Sequence, residues 1–417
     1  MTPHDRIASA AAEDLRHLNS QVLPWWFDNG SDDTRGGVFT CFSNDGELVS
    51  TDKYTWSQGR WASVTGAIAV SAKAGMPLYG GEKAAERSAR TADFLQANAI
   101  LPDGSTSYQL TADGAPVKQP DGSLHSSVYA DLFVVLGLAG AALGNAGDSR
   151  CPQWTATASR VLDSAGQRVR AGAIRTEPYP VPEGMTSLAV GMMMLSAATA
   201  LFRATQDATA KDVMLFWADE LVRGAADDIP AEFEPVTAAR PVDTLMTRHR
   251  TPGHVLEMLW FLVDAADALP ELHDRLGDWV VDRALSSLRL GWDEIDGGLF
   301  RFVDRDGGPP TGDRMGVAYE DLVDRTWSTK LWWPHAESLY ATALLVDRYA
   351  SDELLAWHDR IRDYTYATFP APQGREWIQV RDRRGAPLNQ VVGLPVKDPF
   401  HVPRALLLTA RLGKQGS

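Results

Sequence analysis

The sequence predicts an all-α protein, an (α/α)6 barrel with short β-hairpins in the connecting loops. Three observations carry this. Apolar residues recur with helical period in twelve segments of the 417-residue chain. Several segments, such as SSVYADLFVVLGLAGAAL, are apolar nearly all round and so belong inside rather than at a surface. Arg60, His125, Met185, His254, Trp333 and His401 fall near the starts of alternate segments, at spacings of 65, 60, 69, 79 and 68 residues. Six parallel inner helices bring those starts, and the positive ends of six helix dipoles, to one mouth of a barrel.

In chain order the helical segments are about 3–22, 55–75, 80–100, 124–146, 149–168, 183–204, 207–224, 252–269, 271–289, 328–349, 351–368 and 402–412. The clearest start is TPGHVLEMLWFL, where Thr251 is a good N-cap and Pro252 suits the first helical position. Pro403 similarly opens the last segment. Three connections carry hairpin signals, with turns at Asn44-Asp45-Gly46, Asp306-Gly307-Gly308 and Arg384-Gly385. No Pro/Gly/Ser linker is long enough to divide the chain, so residues 1–417 are expected to form one catalytic domain. The 226–250 loop is long, and long loops in compact domains are often functional. GKQGS at the end is expected to fray.

Composition excludes several classes. Hydrophobic residues are 44% and charged residues 23%, near the globular average, which argues against disorder. No stretch approaches the roughly 20 uninterrupted apolar residues of a membrane span. MTPHDRIASAAAEDLRHL lacks the basic start and apolar run of a secretory signal. A net charge of −14 repels phosphate backbones, so no nucleic-acid partner is expected. Cys41 and Cys151 offer no zinc spacing, and a reduced, cytoplasmic setting is expected, as a monomer or homodimer. The 14 Trp residues fit either a large aromatic core or a pocket for flat apolar faces such as those of a sugar ring.

Chemistry-bearing residues sit at the helix starts. His254 falls near the third helical position, where the dipole disfavours an imidazolium, so a neutral, proton-accepting ring is expected. Glu257, on the same face, either orients it or binds a hydroxyl. The other reading is a capping histidine and a solvated glutamate. KLWWPHAESLY places Trp332, Trp333, His335 and Glu337 around Pro334. An aromatic pair beside a carboxylate suits a sugar and equally suits an aromatic core. His401, beside Arg404, reads as catalytic or as structural. KYTWSQGRWASV carries Tyr54, Trp56 and Arg60, and Arg60 has no local carboxylate. It is either an oxyanion stabiliser or half of a salt bridge. His125, Tyr129 and Asp131 are a weaker group. No cofactor motif and no metal-ligand spacing is present, so acid–base groups alone are expected to serve, with no cofactor and no metal.

Taken together and in order, GGVFTCFSNDGELVSTDKYTWSQGR, HSSVYADLF, SLAVGMMML, TPGHVLEMLWFL, DGGLFRFVDRDG, KLWWPHAES and KDPFHVPR resemble the N-acylglucosamine 2-epimerase family, from about residue 36 to 404. The resemblance implies an (α/α)6 barrel and a small sugar substrate. It implies 2-epimerisation of a hexose or N-acylhexosamine, with aldose–ketose isomerisation of mannose type as the alternative. It further implies that His254 and His401 are the acid–base pair and that Arg60, Glu257, Trp333 and Glu337 shape and polarise the sugar site; Tyr54, just ahead of Arg60, is expected to bind substrate with them. Two departures from the family stand out. Isomerase and cellobiose branches carry a further histidine on the sixth helix, which here reads EGMTSLAVGMMMLSAA. The Gly/Lys-rich nucleotide loop of ATP-activated members is not visible, so ATP-independence is expected. A glycoside hydrolase, with Glu257 and Glu337 as its carboxylate pair, is a third reading that leaves both histidines idle.

Overall fold

A computed structural model describes residues 2–236, 243–389 and 396–415. Twelve helices build the barrel: α1 Pro3–His17, α2 Thr55–Lys73, α3 Gly81–Asn98, α4 Val128–Gly144, α5 Cys151–Arg170, α6 Leu188–Thr205, α7 Ala208–Ala225, α8 Pro252–Ala268, α9 Trp279–Gly291, α10 Trp332–Tyr349, α11 Asp352–Thr368 and α12 His401–Gln415. The inner ring is α2, α4, α6, α8, α10 and α12. Each packs on the next, and α12 packs back on α2. Each inner helix carries one outer helix, and α1 from the chain's start serves α12 at its end, so the sixth pair joins both termini.

Burial follows this layering. In α4 every residue from Val128 to Ala139 is buried, as its all-round apolar sequence requires. Helix α6 is long and apolar enough to cross a membrane by composition, yet two thirds of it (67%) is buried as an inner helix of the barrel. Helices α2 and α4 approach until their backbones nearly touch. A Cβ on Gly59 would lie 2.1 Å from the Phe133 carbonyl oxygen, and one on Gly66 would lie 2.2 Å from that of Gly140. Only glycine fits that interface.

Short straps lie ahead of the inner helices. Lys53–Tyr54 pairs with Gln109–Leu110, Met185–Ser187 with Phe233–Pro235, His249–Arg250 with Val303–Asp304, and Lys330–Leu331 with Val380–Arg381, all antiparallel. Ser127 bridges to Thr176. At the sixth position Lys397 N–H donates to the Thr40 carbonyl at 2.7 Å. The chain entering one inner helix is thus tied to the chain that has just left the following outer helix.

This corrects one of the three hairpins. The Asn44-Asp45-Gly46 hairpin forms, with Cys41–Phe42 against Leu48–Ser50. The strand before Gly307 instead pairs with residues some fifty positions earlier, and its own turn closes only locally. The strand before Gly385 pairs with Lys330–Leu331 and also with its own return, through the antiparallel Arg381–Pro387 bridge and Leu388 N–H donating to the Val380 carbonyl at 2.9 Å. Helix α6 begins at 188 because Met185–Ser187 is strand, and α9 begins at 279 because Pro270–Arg275 is a 3-10 turn. A nine-residue helix, Ala318–Thr326, was not anticipated. Residues 237–242 of the long loop, and 416–417 of the expected frayed end, lie outside the described residues.

Candidate active site

The inner-helix starts surround one cavity, lined by Arg60, His254, Glu257, Trp333, Asp398 and His401 among others. Aromatic side chains from several straps and helices, Trp56 and Tyr179 among them, make much of its wall apolar. Trp333 lies between the two histidines. Its ring centroid is 4.9 Å from that of His254 and 5.8 Å from that of His401, with interplanar angles of 32° and 39°.

Each imidazole is backed by a buried carboxylate. His254 Nδ1 meets Glu232 Oε2 at 2.7 Å, and His401 Nδ1 meets Glu337 Oε1 at 2.7 Å. A carboxylate accepts, so each ring donates from Nδ1 and turns Nε2 to proton transfer. Glu337 also accepts from Trp260 Nε1 at 2.8 Å and Arg404 Nη2 at 2.7 Å. Burial works to raise the Glu337 carboxyl, but the Arg404 charge and the His401 hydrogen bond outweigh it and hold it at about 2.

The two Nε2 atoms differ. Arg60 Nη2 lies 3.1 Å from His401 Nε2. A guanidinium only donates, so His401 Nε2 is here an acceptor carrying a lone pair. Arg60 Nη1 donates to Asp398 at 3.1 Å, and Asp398 also accepts the His401 backbone N–H at 2.9 Å and Trp332 Nε1 at 3.0 Å. His254 Nε2 receives no hydrogen bond from any described residue, and 24% of that side chain is open to the cavity. Burial lowers the basicity of His254, but the Glu232 charge and hydrogen bond outweigh it and raise the imidazole above its ordinary value. The direction is opposite to the one expected from the helix dipole: one ionised carboxylate at 2.7 Å outweighs a partial charge.

Several expectations are redrawn. Glu257 does not orient His254; it accepts from Arg404 at 2.7 Å. Glu337 is buried behind His401 and does not line the cavity, so it meets the imidazole and not the cavity's contents. With Glu257 and Glu337 sharing one Arg404 nitrogen, no scissile bond fits between them, which removes the hydrolase arrangement. Glu257, Glu337 and His401 offer ligand atoms within 4.8 Å of one another, but Arg404 supplies the cation of that cluster. Tyr54 does not line the cavity; its ring meets Tyr108 edge-on. His335 is a core residue, with Nδ1 bonded to the Leu331 carbonyl at 2.6 Å and Nε2 accepting from Leu299 N–H at 2.9 Å. His125 and Asp131 bond each other and Arg168 away from the cavity, whereas Tyr129 lines it. Sequence reasoning missed Glu232, Asp398 and Arg301. Glu232 stands in the long loop already marked as functional, and Asp398 stands three residues before His401 where a cap belongs.

The model of the N-acylglucosamine 2-epimerase (GlcNAc 2-epimerase) family matches residues 37–403. The chain belongs to the N-acylglucosamine 2-epimerase family. It is accordingly an isomerase-class enzyme. It is 28% identical over 402 residues to the N-acylglucosamine 2-epimerase of Bos taurus, covering 93% of this chain and 87% of that protein. It is 27% identical over 401 residues to that of Homo sapiens, covering 93% and 86%. Solved structures share the fold. The cellobiose 2-epimerase from Spirochaeta thermophila superposes with a TM-score of 0.75 at 18% identity, covering 98% of each chain. A D-mannose isomerase gives 0.70 at 14%, also covering 98% of each. Within this family barrel, the sixth-helix face that lines the cavity carries Met192 and Met193 and no histidine.

Proposed function

We propose that this chain is a cofactor-independent sugar 2-epimerase that inverts C2 of an open-chain hexose or N-acylhexosamine through a cis-enediolate. His254 and His401 act as the acid–base pair. The observation that carries the reading is the pair itself: two carboxylate-backed imidazoles flank one tryptophan in one cavity, one with a lone pair and one favouring its proton.

The steps follow from that asymmetry. The aldehyde of an open-chain aldose acidifies the C2 hydrogen. His401 Nε2 takes this proton, the C–H electron pair becomes a C1=C2 double bond, and the carbonyl electrons move onto O1. Arg60 exchanges its bond to His401 for the developing oxyanion. His254 Nε2–H then delivers its proton to the other face of C2. Glu232 and Glu337 hold the tautomers throughout. Trp333, between the two rings, supplies an aromatic face for sugar C–H groups.

Aldose–ketose isomerisation is the second reading. It needs one base that returns the proton to C1 instead of a partner across the enediolate. Met192 and Met193 at the sixth-helix face set this chain apart from the resembled isomerase and cellobiose branches alike, which both place a histidine on that helix, and bring it nearer the Met-rich helix of N-acetylglucosamine epimerases. Two free thiols, Cys41 and Cys151, support a reducing compartment such as the cytoplasm. Incubation with glucose, mannose, fructose and N-acetylglucosamine separately, with products resolved by chromatography, tests the reading. A C2 epimer that disappears in His254→Asn and His401→Asn supports it. A ketose as sole product replaces it with the isomerase, and a sugar bound equally well with and without His401, never converted, replaces it with a binding protein.

A further inference from the structure

The charges that line the cavity are, with one exception, neutralised by a neighbour. Arg60 meets Asp398, Glu232 meets His254, and Glu257 meets Arg404. Among the described residues Arg301 alone on that wall has no carboxylate within ion-pair distance. It is 7% exposed, so it is as buried as many core residues. Its hydrogen bond is one at the outer limit, Nη2 to the Tyr179 hydroxyl at 3.5 Å. Two rings lie beside it, with the guanidinium 5.0 Å from the Phe302 centroid and 5.9 Å from that of Tyr179. None of its nitrogens is a sealed, unpaired donor, so they open on the cavity that the residue lines.

A guanidinium cannot shed its proton to escape this setting. Burying it without a counter-ion is costly, and a neutral hydroxyl satisfies a donor without satisfying the charge. A planar fork with open N–H groups in a partly desolvated wall is the arrangement that holds an oxyanion at two points. The carbonyl end of the sugar is already served by Arg60, so a second cation is not needed there.

We propose that Arg301 is the anion-recognising residue of this cavity and that the natural substrate is a sugar carrying an oxyanionic substituent, a carboxylate or a phosphate, away from C1 and C2. The inference rests on the sugar-epimerase reading and narrows its substrate class. It makes Arg301 a specificity residue, distinct from the two histidines and Arg60 that handle the proton.

The test compares glucose, glucuronate and glucose 6-phosphate on the wild type, Arg301→Met and Arg301→Lys, measuring binding by calorimetry and products by chromatography. At least one acidic sugar is expected to bind about tenfold to a hundredfold more tightly than glucose, the range of a charge-assisted contact. The carboxylate and phosphate arms tell which oxyanion is preferred. In Arg301→Met the acidic-to-neutral ratio is expected to fall toward one, and Arg301→Lys is expected to keep part of it. Glucose binding as tightly as both acids, or a preference that survives in Arg301→Met, overturns the proposal. Arg301-dependent binding of an acidic sugar without any epimer or ketose upholds the anion site and sinks the epimerase reading. Epimerised glucose with no acid preference does the reverse.

Discussion

Arg60 Nη2 sits 3.1 Å from His401 Nε2, and this one contact fixes the state of both residues. It places a lone pair on His401 and a fixed positive charge beside the atom proposed to receive the substrate's proton. Arg60 can hold this position because its other terminal nitrogen is anchored to Asp398, and because the guanidinium stacks 4.3 Å from the Phe133 centroid.

Arg60→Lys is therefore expected to cost on the order of tenfold to a thousandfold in kcat, the range for one oxyanion donor. An ammonium is a point charge and cannot span Asp398 and the sugar oxygen together. Steady-state rates on a variant with unchanged circular dichroism check this. An unaltered kcat removes Arg60 from the mechanism.

Glu232→Gln is expected to lower the titration of His254, because burial, which works downward, loses its counterweight. The folded wild-type pKa is raised above the ordinary 6.5. The stabilisation from this pair is therefore fully present below about 6.5 and lost as pH rises through the folded value. In the variant the alkaline limb of the rate profile should move to lower pH. NMR titration of His254 gives the shift directly, and an upward shift contradicts the pairing.

Glu337→Gln should lower kcat more than it raises KM, since it leaves the cavity wall intact and loosens the His401 tautomer. A loss on the order of a hundredfold is expected, and a pure KM effect would return Glu337 to a binding role.

Gly59→Ala and Gly66→Ala should each destabilise the barrel by about 1–3 kcal/mol or more, because each Cβ meets backbone, which cannot rotate away. Denaturant melts read this. Wild-type stability in both would mean that α2 and α4 separate easily.

The helices were legible because the inner ones are buried on every side, and such burial demands an unbroken apolar run like the one in α4. The straps were not, because a turn such as Asp306-Gly307-Gly308 signals only local reversal, while its strand pairs with His249–Arg250 far earlier in the chain. At the site, His254, His401, Arg60 and Trp333 announced themselves by position at helix starts. Their partners Glu232 and Asp398 did not, since a loop carboxylate has no periodicity and gains meaning only when the barrel brings it to an imidazole or a guanidinium. Tyr54 shows the converse: it stands one residue before α2, yet strand pairing turns it out of the cavity.

The central claim is that two histidines serve one enediolate, and reaction in D₂O under first-turnover conditions tests it most directly. Two bases, each exchanging with solvent, should leave deuterium at C2 of the epimerised product from the first turnover. Full retention of the substrate's original hydrogen at C1 of a ketose product, in that same turnover, would contradict the two-histidine epimerase and establish a single-base isomerase.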